Sequence, residues 1–320
     1  MKRRHRKMDS IEEIRKITPI GFDHGWNFCK TRHASFLSGL REITTEPALF
    51  DNVLEYGGKY YKVGTKRMEV RENKVSDDSF YLLTLAGIAM ELRERGMTTA
   101  KILLSAGLPL TRFGDEKDDF IRYLGQNRDV RFKFEQVEYH IYMERVSVYP
   151  QCYGAVIDRL HTFARKVVVV DIGSWTVDIM PIYDSSPDES ACVTLPHGII
   201  TCIRQINKEC VRQLNEEVDE YDIQQVMMNG SDDLPEEYRR IIEKQIREYC
   251  ESIYHSIREQ GFNMALTPII FAGGGATVMK RFGNLSDGKI SYIEDVRANA
   301  KGFELLAQIR LKEEERRKAQ

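Results

Sequence analysis

Val167-Val-Val-Val-Asp-Ile-Gly-Ser-Trp-Thr-Val-Asp-Ile-Met180 decides the fold. Four consecutive valines ending in Asp171 read as a strand buried on both faces, because β-branched side chains suit a pleated surface and no polar residue alternates with them. Ile172-Gly-Ser174 then turns the chain, and Trp175 to Met180 returns as a second strand. The same arrangement stands earlier. Pro19-Ile-Gly-Phe22 leads into the polar turn Asp23-His-Gly25, and Trp26 to Arg32 alternates as a half-buried strand does. Two copies of strand, Asp-x-Gly turn and strand lie too far apart for a solenoid, so the pattern predicts two related α/β domains.

Working outward, Leu49 to Tyr56 and Lys59 to Val63 are β-like segments around the turn Gly57-Gly58. Ser79 opens a helix whose Leu82, Leu85, Ala89 and Leu92 share a face, with Gly96 placed for a left-handed cap. A strand over Ala100 to Ser105 runs into a loop, Ala106 to Leu110, and a polar helix follows from about Asp115 to Leu124. Arg131 to Tyr142 alternates around a turn near Glu135, and Gln151 to Arg165 reads as helix. The second half carries helices over Ile199 to Leu214 and Glu236 to Gly261, then a strand over Pro268 to Ala272 that breaks into Gly273-Gly-Gly275. A helix from Ala298 to Lys318 closes the chain. The expected boundaries are a basic extension at 1–16, domain I at 17–165, domain II at 166–297 and a closing helix at 298–320.

Composition sets the limits. The chain has 320 residues, enough for about two domains. Its 47 Lys and Arg nearly balance 49 Asp and Glu. A net charge of −2 provides no global positive field, so the main body is not expected to bind nucleic acid directly. Apolar runs are strand-sized, far short of the ~20 residues a spanning helix needs, so no membrane partner is expected. Six scattered cysteines contain no CxxC pair and read as idle thiols in a reducing cytoplasm. His24 beside Asp23 has no second histidine spaced to help it hold a metal, and it reads as a turn residue.

Three turns carry the chemistry: Asp23-x-Gly25 with Lys30; Asp171-x-Gly173-Ser174-x-Thr176-x-Asp178; and Gly273-Gly-Gly-Ala276. Each follows an apolar strand. Glycines let backbone N–H groups approach phosphate oxygens, two aspartates at strand ends suit a hydrated Mg²⁺, and Lys30 offers a point charge to a β or γ phosphate. Their order in one chain points to a magnesium nucleoside triphosphate, with ATP and GTP both open.

With these residues in view, the sequence resembles the actin, sugar-kinase and heat-shock chaperone ATPase superfamily, most closely its ParM-type bacterial actin-like proteins. Gly21-Phe-Asp-His-Gly-Trp-Asn-Phe-Cys-Lys30 is similar to the first phosphate loop, Val170 to Asp178 to the second, and Phe271-Ala-Gly-Gly-Gly-Ala276 to the adenosine motif. Ser105-Ala-Gly-Leu-Pro-Leu110, Val148-Tyr-Pro-Gln-Cys-Tyr-Gly154 and Ala298-Asn-Ala-Lys-Gly302 resemble further family segments, so the likeness spans about Thr18 to Gln308. The resemblance implies an actin-like two-domain fold, with two related mixed-sheet α/β domains around a nucleotide cleft.

It also implies roles. Asp23 and Asp171 would organise Mg²⁺ and water, and Gln151 would orient the attacking water, a positioning task suited to a reaction that is mostly geometry and electrostatics. Gly25, Trp26, Asn27, Lys30, Gly173, Ser174, Trp175 and Thr176 would line the phosphates. Gly198, Asn207 and Lys208 would flank the base or ribose, and Gly273, Gly274 and Gly275 the adenosine. Ser174 stands where the family commonly has glycine, and Trp26 and Trp175 where it has small residues. The implied function is an ATPase that assembles with ATP into filaments of its own copies, disassembles after hydrolysis, and segregates plasmid DNA through an adaptor DNA-binding protein on a centromere. A small-molecule kinase and a non-hydrolysing nucleotide sensor remain open on the same fold.

Overall fold

Two sheets organise the chain. The computed structural model describes residues 16–65, 67–68, 74–163, 165–230, 233–284 and 288–320; the basic extension expected at 1–16 lies outside them except for Lys16. The chain divides into two units, Met1–Asp158 with Asn299–Gln320, and Arg159–Ala298.

The first unit holds β1 (Ile17–His24), β2 (Phe28–Lys30), β3 (Ser35–Leu37), β4 (Leu40–Ile43), β5 (Val53–Tyr56), β6 (Lys59–Val63), β7 (Thr99–Leu108), β8 (Asp129–Phe134) and β9 (Val137–Pro150). They form one nine-stranded sheet in the order β3-β2-β1-β7-β9-β8-β5-β6-β4. β1, β7 and β9 are parallel, which requires crossovers rather than hairpins. Helix α1 (Ser79–Glu94) lies in the connection before β7, and it is buried without interruption from Phe80 to Leu92. That explains why its apolar residues are not confined to one stripe. Gly96 has φ +69°, as its expected cap role requires.

Two expectations change here. The strand thought to end at Ser105 continues to Leu108, because Gly107 and Leu108 keep register with Tyr149 and Pro150 of β9; α2 (Leu110–Leu124) therefore starts directly after Pro109. The helix expected over Gln151 to Arg165 shrinks to the single turn α3 (Tyr153–Val156) followed by a 3-10 stretch, Ile157–Thr162.

The closing helix, Ala298–Ala319, packs on this unit with backbone against backbone. A Cβ at Gly302 would overlap the carbonyl oxygen of Gly154, and one at Gly21 would overlap that of Ala300. Phe303, fully buried, fills the space that Gly107 and Gly154 leave by lacking side chains. A charged network fastens the same seam. Arg95 donates from Nη2 to Glu91 Oε1 and Glu304 Oε2, both at 2.7 Å, and from Nη1 to the carbonyl of Pro19 at 2.9 Å. Glu91 is buried and also accepts from Thr31 Oγ1 at 2.8 Å. Burial pushes its carboxyl up, but the hydrogen bonds from Thr31 and Arg95 outweigh it and hold the group below the ordinary glutamate range.

The second unit holds β10 (Lys166–Ile172), β11 (Val177–Tyr183), β12 (Ser186–Pro187), β13 (Val193–Leu195), β14 (Ile269–Ala272) and β15 (Ile290–Tyr292), in the order β12-β11-β10-β14-β15 with β13 against β11. The valines of β10 are buried as their run predicts, between antiparallel β11 and parallel β14. Helices α4 (Ile199–Leu214), α5 (Glu220–Asn229), α6 (Glu236–Glu259) and α7 (Gly275–Phe282) complete the core. α5 was not expected, although its signals are in the sequence: Asp219 caps it by accepting from Tyr221 N, and Gly230 ends it at φ +75°.

Candidate functional site

In the first unit the β1–β2 hairpin sets Asp23 directly opposite Lys30. Lys30 Nζ donates to Asp23 Oδ2 at 2.9 Å, and Gln151 Nε2 donates to Asp23 Oδ1 at 3.0 Å. One buried carboxylate thus holds two of the residues singled out from the sequence, one of them 128 positions away. Gln151 is positioned by unusual backbone. Its N–H donates to the carbonyl of Leu108 at 2.8 Å, and its own carbonyl accepts from Tyr153 N at 2.7 Å across Cys152. Cys152 takes φ +62° and ψ −52°, a strained γ-turn conformation that costs on the order of 1–3 kcal/mol in a non-glycine residue. The strain lies one residue from the side chain it orients.

Gly25 closes this hairpin, donating from N to the carbonyl of Phe28 at 3.1 Å. A Cβ on Gly25 would crowd that same oxygen. Asn27 is buried, and its carbonyl accepts from Ser38 N at 2.9 Å. Trp26 packs edge-on against Phe80, with ring centroids 5.1 Å apart, at the end of the hairpin. His24 is a correction. It is not a turn residue but the buried last residue of β1, stacked on Phe22 at 4.1 Å and bonded through Nε2 to Thr84 Oγ1 at 2.8 Å.

In the second unit Asp171 lies opposite Asp178 of β11 and Ala272 of β14. Gly273, at φ +78°, follows directly, and a Cβ there would overlap Asp171 Oδ1. The triple glycine and the second aspartate are therefore one construction: the turn can close only without a side chain at 273. Gly274 is exposed and open to solvent, whereas a Cβ at Gly275 would overlap Ile172 as α7 begins. Asp178 accepts from Thr194 Oγ1 at 2.6 Å and Thr176 Oγ1 at 3.3 Å.

The second turn is braced by α4. Ile199 N donates to the carbonyl of Gly173 at 3.1 Å, Ile200 N to that of Ser174 at 2.9 Å, and Gly198 N to that of Trp175 at 3.1 Å. These first amides of the helix are spent on the turn itself, and Gly198 allows the approach because a Cβ would overlap Ser174 and Trp175. Arg204 lies over the Trp175 ring at 5.2 Å, while the indole Nε1 is buried without a partner. Asn207 Oδ1 accepts from Val218 N at 2.9 Å, tying α4 to the following loop, and Lys208 is exposed. Among the described residues no three His, Cys, Asp or Glu side chains cluster as a metal cage.

The chain matches two protein families and several solved structures. Residues 30–154 match the family described as actin like proteins N terminal domain, and residues 169–283 the archaeal actin homologue MreB-like, C-terminal family. No curated protein matches the chain in sequence. Among solved structures, an archaeal actin homolog, Ta0583, superposes with a TM-score of 0.75 at 21% identity, over 91% of this chain and 99% of that one. The apo psk41 ParM protein gives 0.71 at 16% identity over 93% and 98%. Bacillus thuringiensis ParM with ATP gives 0.68 at 13% identity over 91% and 98%.

Proposed function

We propose that this chain, whose fold is actin-like, is of the ParM type: an ATPase that assembles with ATP into filaments of its own copies and disassembles after hydrolysis. The observation that carries this reading is the Asp23 carboxylate, held by Lys30 at 2.9 Å and by Gln151 at 3.0 Å. It couples a phosphate-seeking cation and a water-positioning amide to one anion. Glutamine is no general base, so Gln151 orients water instead of deprotonating a substrate hydroxyl, which favours hydrolysis over small-molecule phosphorylation.

Asp23 in the first unit and Asp171 in the second are each, as a carboxylate at a strand end, suited to hold Mg²⁺ through its waters. Mg²⁺ keeps several waters and is bound mainly by phosphate, so carboxylates would hold it through those waters. Bound there, Mg²⁺ would supply positive charge to offset that of the phosphates. Gly25, Asn27, Lys30, Gly173, Ser174 and Thr176 are proposed for the phosphates, and Gly198, Lys208 and Gly273 to Gly275 for the nucleoside. Trp26, Trp175 and Asn207 contribute by holding these turns in shape. An adaptor DNA-binding protein on a plasmid centromere is the proposed cargo link. No described helix is long and apolar enough to cross a membrane.

Gln151→Ala is expected to slow phosphate release at least tenfold while ATP affinity changes less than threefold, because water positioning acts in the transition state. Single-turnover hydrolysis beside calorimetric binding measures both. Equal hydrolysis rates in parent and variant would remove Gln151 from the mechanism.

A further inference from the structure

Lys74 precedes α1 and is 8% exposed. Its ammonium lies 5.8 Å from the centroid of Phe80 and 5.9 Å from that of Phe120. No hydrogen bond or ion pair reaches it among the described residues. Aromatic faces return only part of what it costs to take an ammonium out of water. The imbalance shows in its acidity: burial pulls the Lys74 amine below the ordinary lysine range against the opposing pull of Asp23.

Among the described residues no counter-ion lies within bonding distance of it. His24 rests on the same two rings, 5.9 Å from Phe80 and 5.2 Å from Phe120. Burial first, and then the Lys74 charge, hold its imidazole well below its usual range, so it stays neutral. Its Nδ1 is buried without a partner. Asp23 is the adjacent residue of β1, but its two oxygens already accept from Lys30 and Gln151. Glu116 attracts Lys74 and Arg112 repels it, neither within bonding distance. Burial pushes the Cys29 thiol up to about 12, so it is no anion at neutral pH.

We propose that Lys74 is the residue by which the first turn distinguishes a terminal phosphoryl group from its absence, its uncompensated ammonium pairing with that anion when it occupies the turn beside Asp23. This rests on the nucleotide reading of the turn and adds to it a selectivity between triphosphate and diphosphate. Lys30 does not supply that selectivity, since its ammonium is already engaged by Asp23. An ammonium with no partner responds with its whole charge to an arriving anion, whereas the charge of one paired to a carboxylate is already partly balanced.

The test compares parent, Lys74→Met, Lys74→Arg and Lys74→Gln by calorimetry with Mg²⁺ and an imido-bridged ATP analogue, with ADP, and with inorganic phosphate added to ADP-loaded protein. Lys74→Met should weaken the analogue at least tenfold and ADP less than twofold, with a thermal midpoint at or above that of the parent because a buried charge is gone. Weakening confined to the analogue identifies the tethered γ phosphate; weakening of added phosphate as well extends the site to the released anion. An analogue-to-ADP affinity ratio equal to the parent's overturns the proposal. Should the methionine variant unfold, the Arg and Gln variants pose the same question: Arg keeps the ratio and Gln loses it, and equal ratios overturn the proposal. A parent that binds no nucleotide overturns the reading of the turn itself, and this inference with it.

Discussion

Asp171→Ala is expected to abolish Mg²⁺-dependent nucleotide binding, raising Kd by about a hundredfold or more, equivalent to ~3 kcal/mol. The carboxylate sits at the end of β10 between Asp178 and Ala272, pressed against a glycine turn that closes only because position 273 has no side chain. Such a packed carboxylate is held in place before any ligand arrives, so little ordering remains to oppose binding. Calorimetry with and without Mg²⁺ checks the result. The parent should lose affinity when Mg²⁺ is withdrawn and the variant should be indifferent to it. Unchanged affinity in Asp171→Ala would confine the residue to a structural role, which a lowered thermal midpoint alone would reveal.

The second large effect concerns stability. Gly302→Ala is expected to cost about 4 kcal/mol, at the upper end for a single substitution. The added methyl would overlap the carbonyl oxygen of Gly154, and backbone lies on both sides of the contact, so no rotamer relieves it. The closing helix must move away, which unseats Phe303 from the space beside Gly107 and Gly154 and pulls Glu304 from Arg95. Gly154 lies three residues from Gln151, so a nucleotide-binding defect should accompany the loss of stability. A thermal midpoint lowered by roughly 10 °C is the expected reading. A midpoint unchanged within error would mean that helix and connecting segment tolerate separation.

The strand that carries Asp171 was legible because burial on both faces selects continuous β-branched runs, and nothing else in the chain looks like Val167 to Val170; the strand that carries Asp23, interrupted by Pro19 and Gly21, was legible only through the hairpin it opens. The hairpin turns were legible because Asp-x-Gly marks a reversal locally. What escaped depends on partners remote in sequence. β7 extends to Leu108 and β9 to Pro150 because each holds the other in register. No local pattern marks that. The helix expected from Gln151 fails at Cys152, whose positive φ no cysteine advertises. His24 looked like a turn residue because its neighbours are Asp23 and Gly25, yet Phe80, Thr84 and Phe120 enclose it. Arg95 joining Glu91 to Glu304 is likewise a tertiary fact. α5 differs: its caps at Asp219 and Gly230 stood in the sequence, and its polar composition obscured them.

Light scattering and pelleting of the purified protein after addition of Mg-ATP test the central claim most directly. A heterologous contact that does not close on itself must propagate, so assembly should appear as a rise in scattering above a critical micromolar concentration. The signal should decay as ATP is consumed and persist longer in Gln151→Ala. A flat trace and an empty pellet across the micromolar range, with calorimetry showing nucleotide bound, would contradict the filament reading.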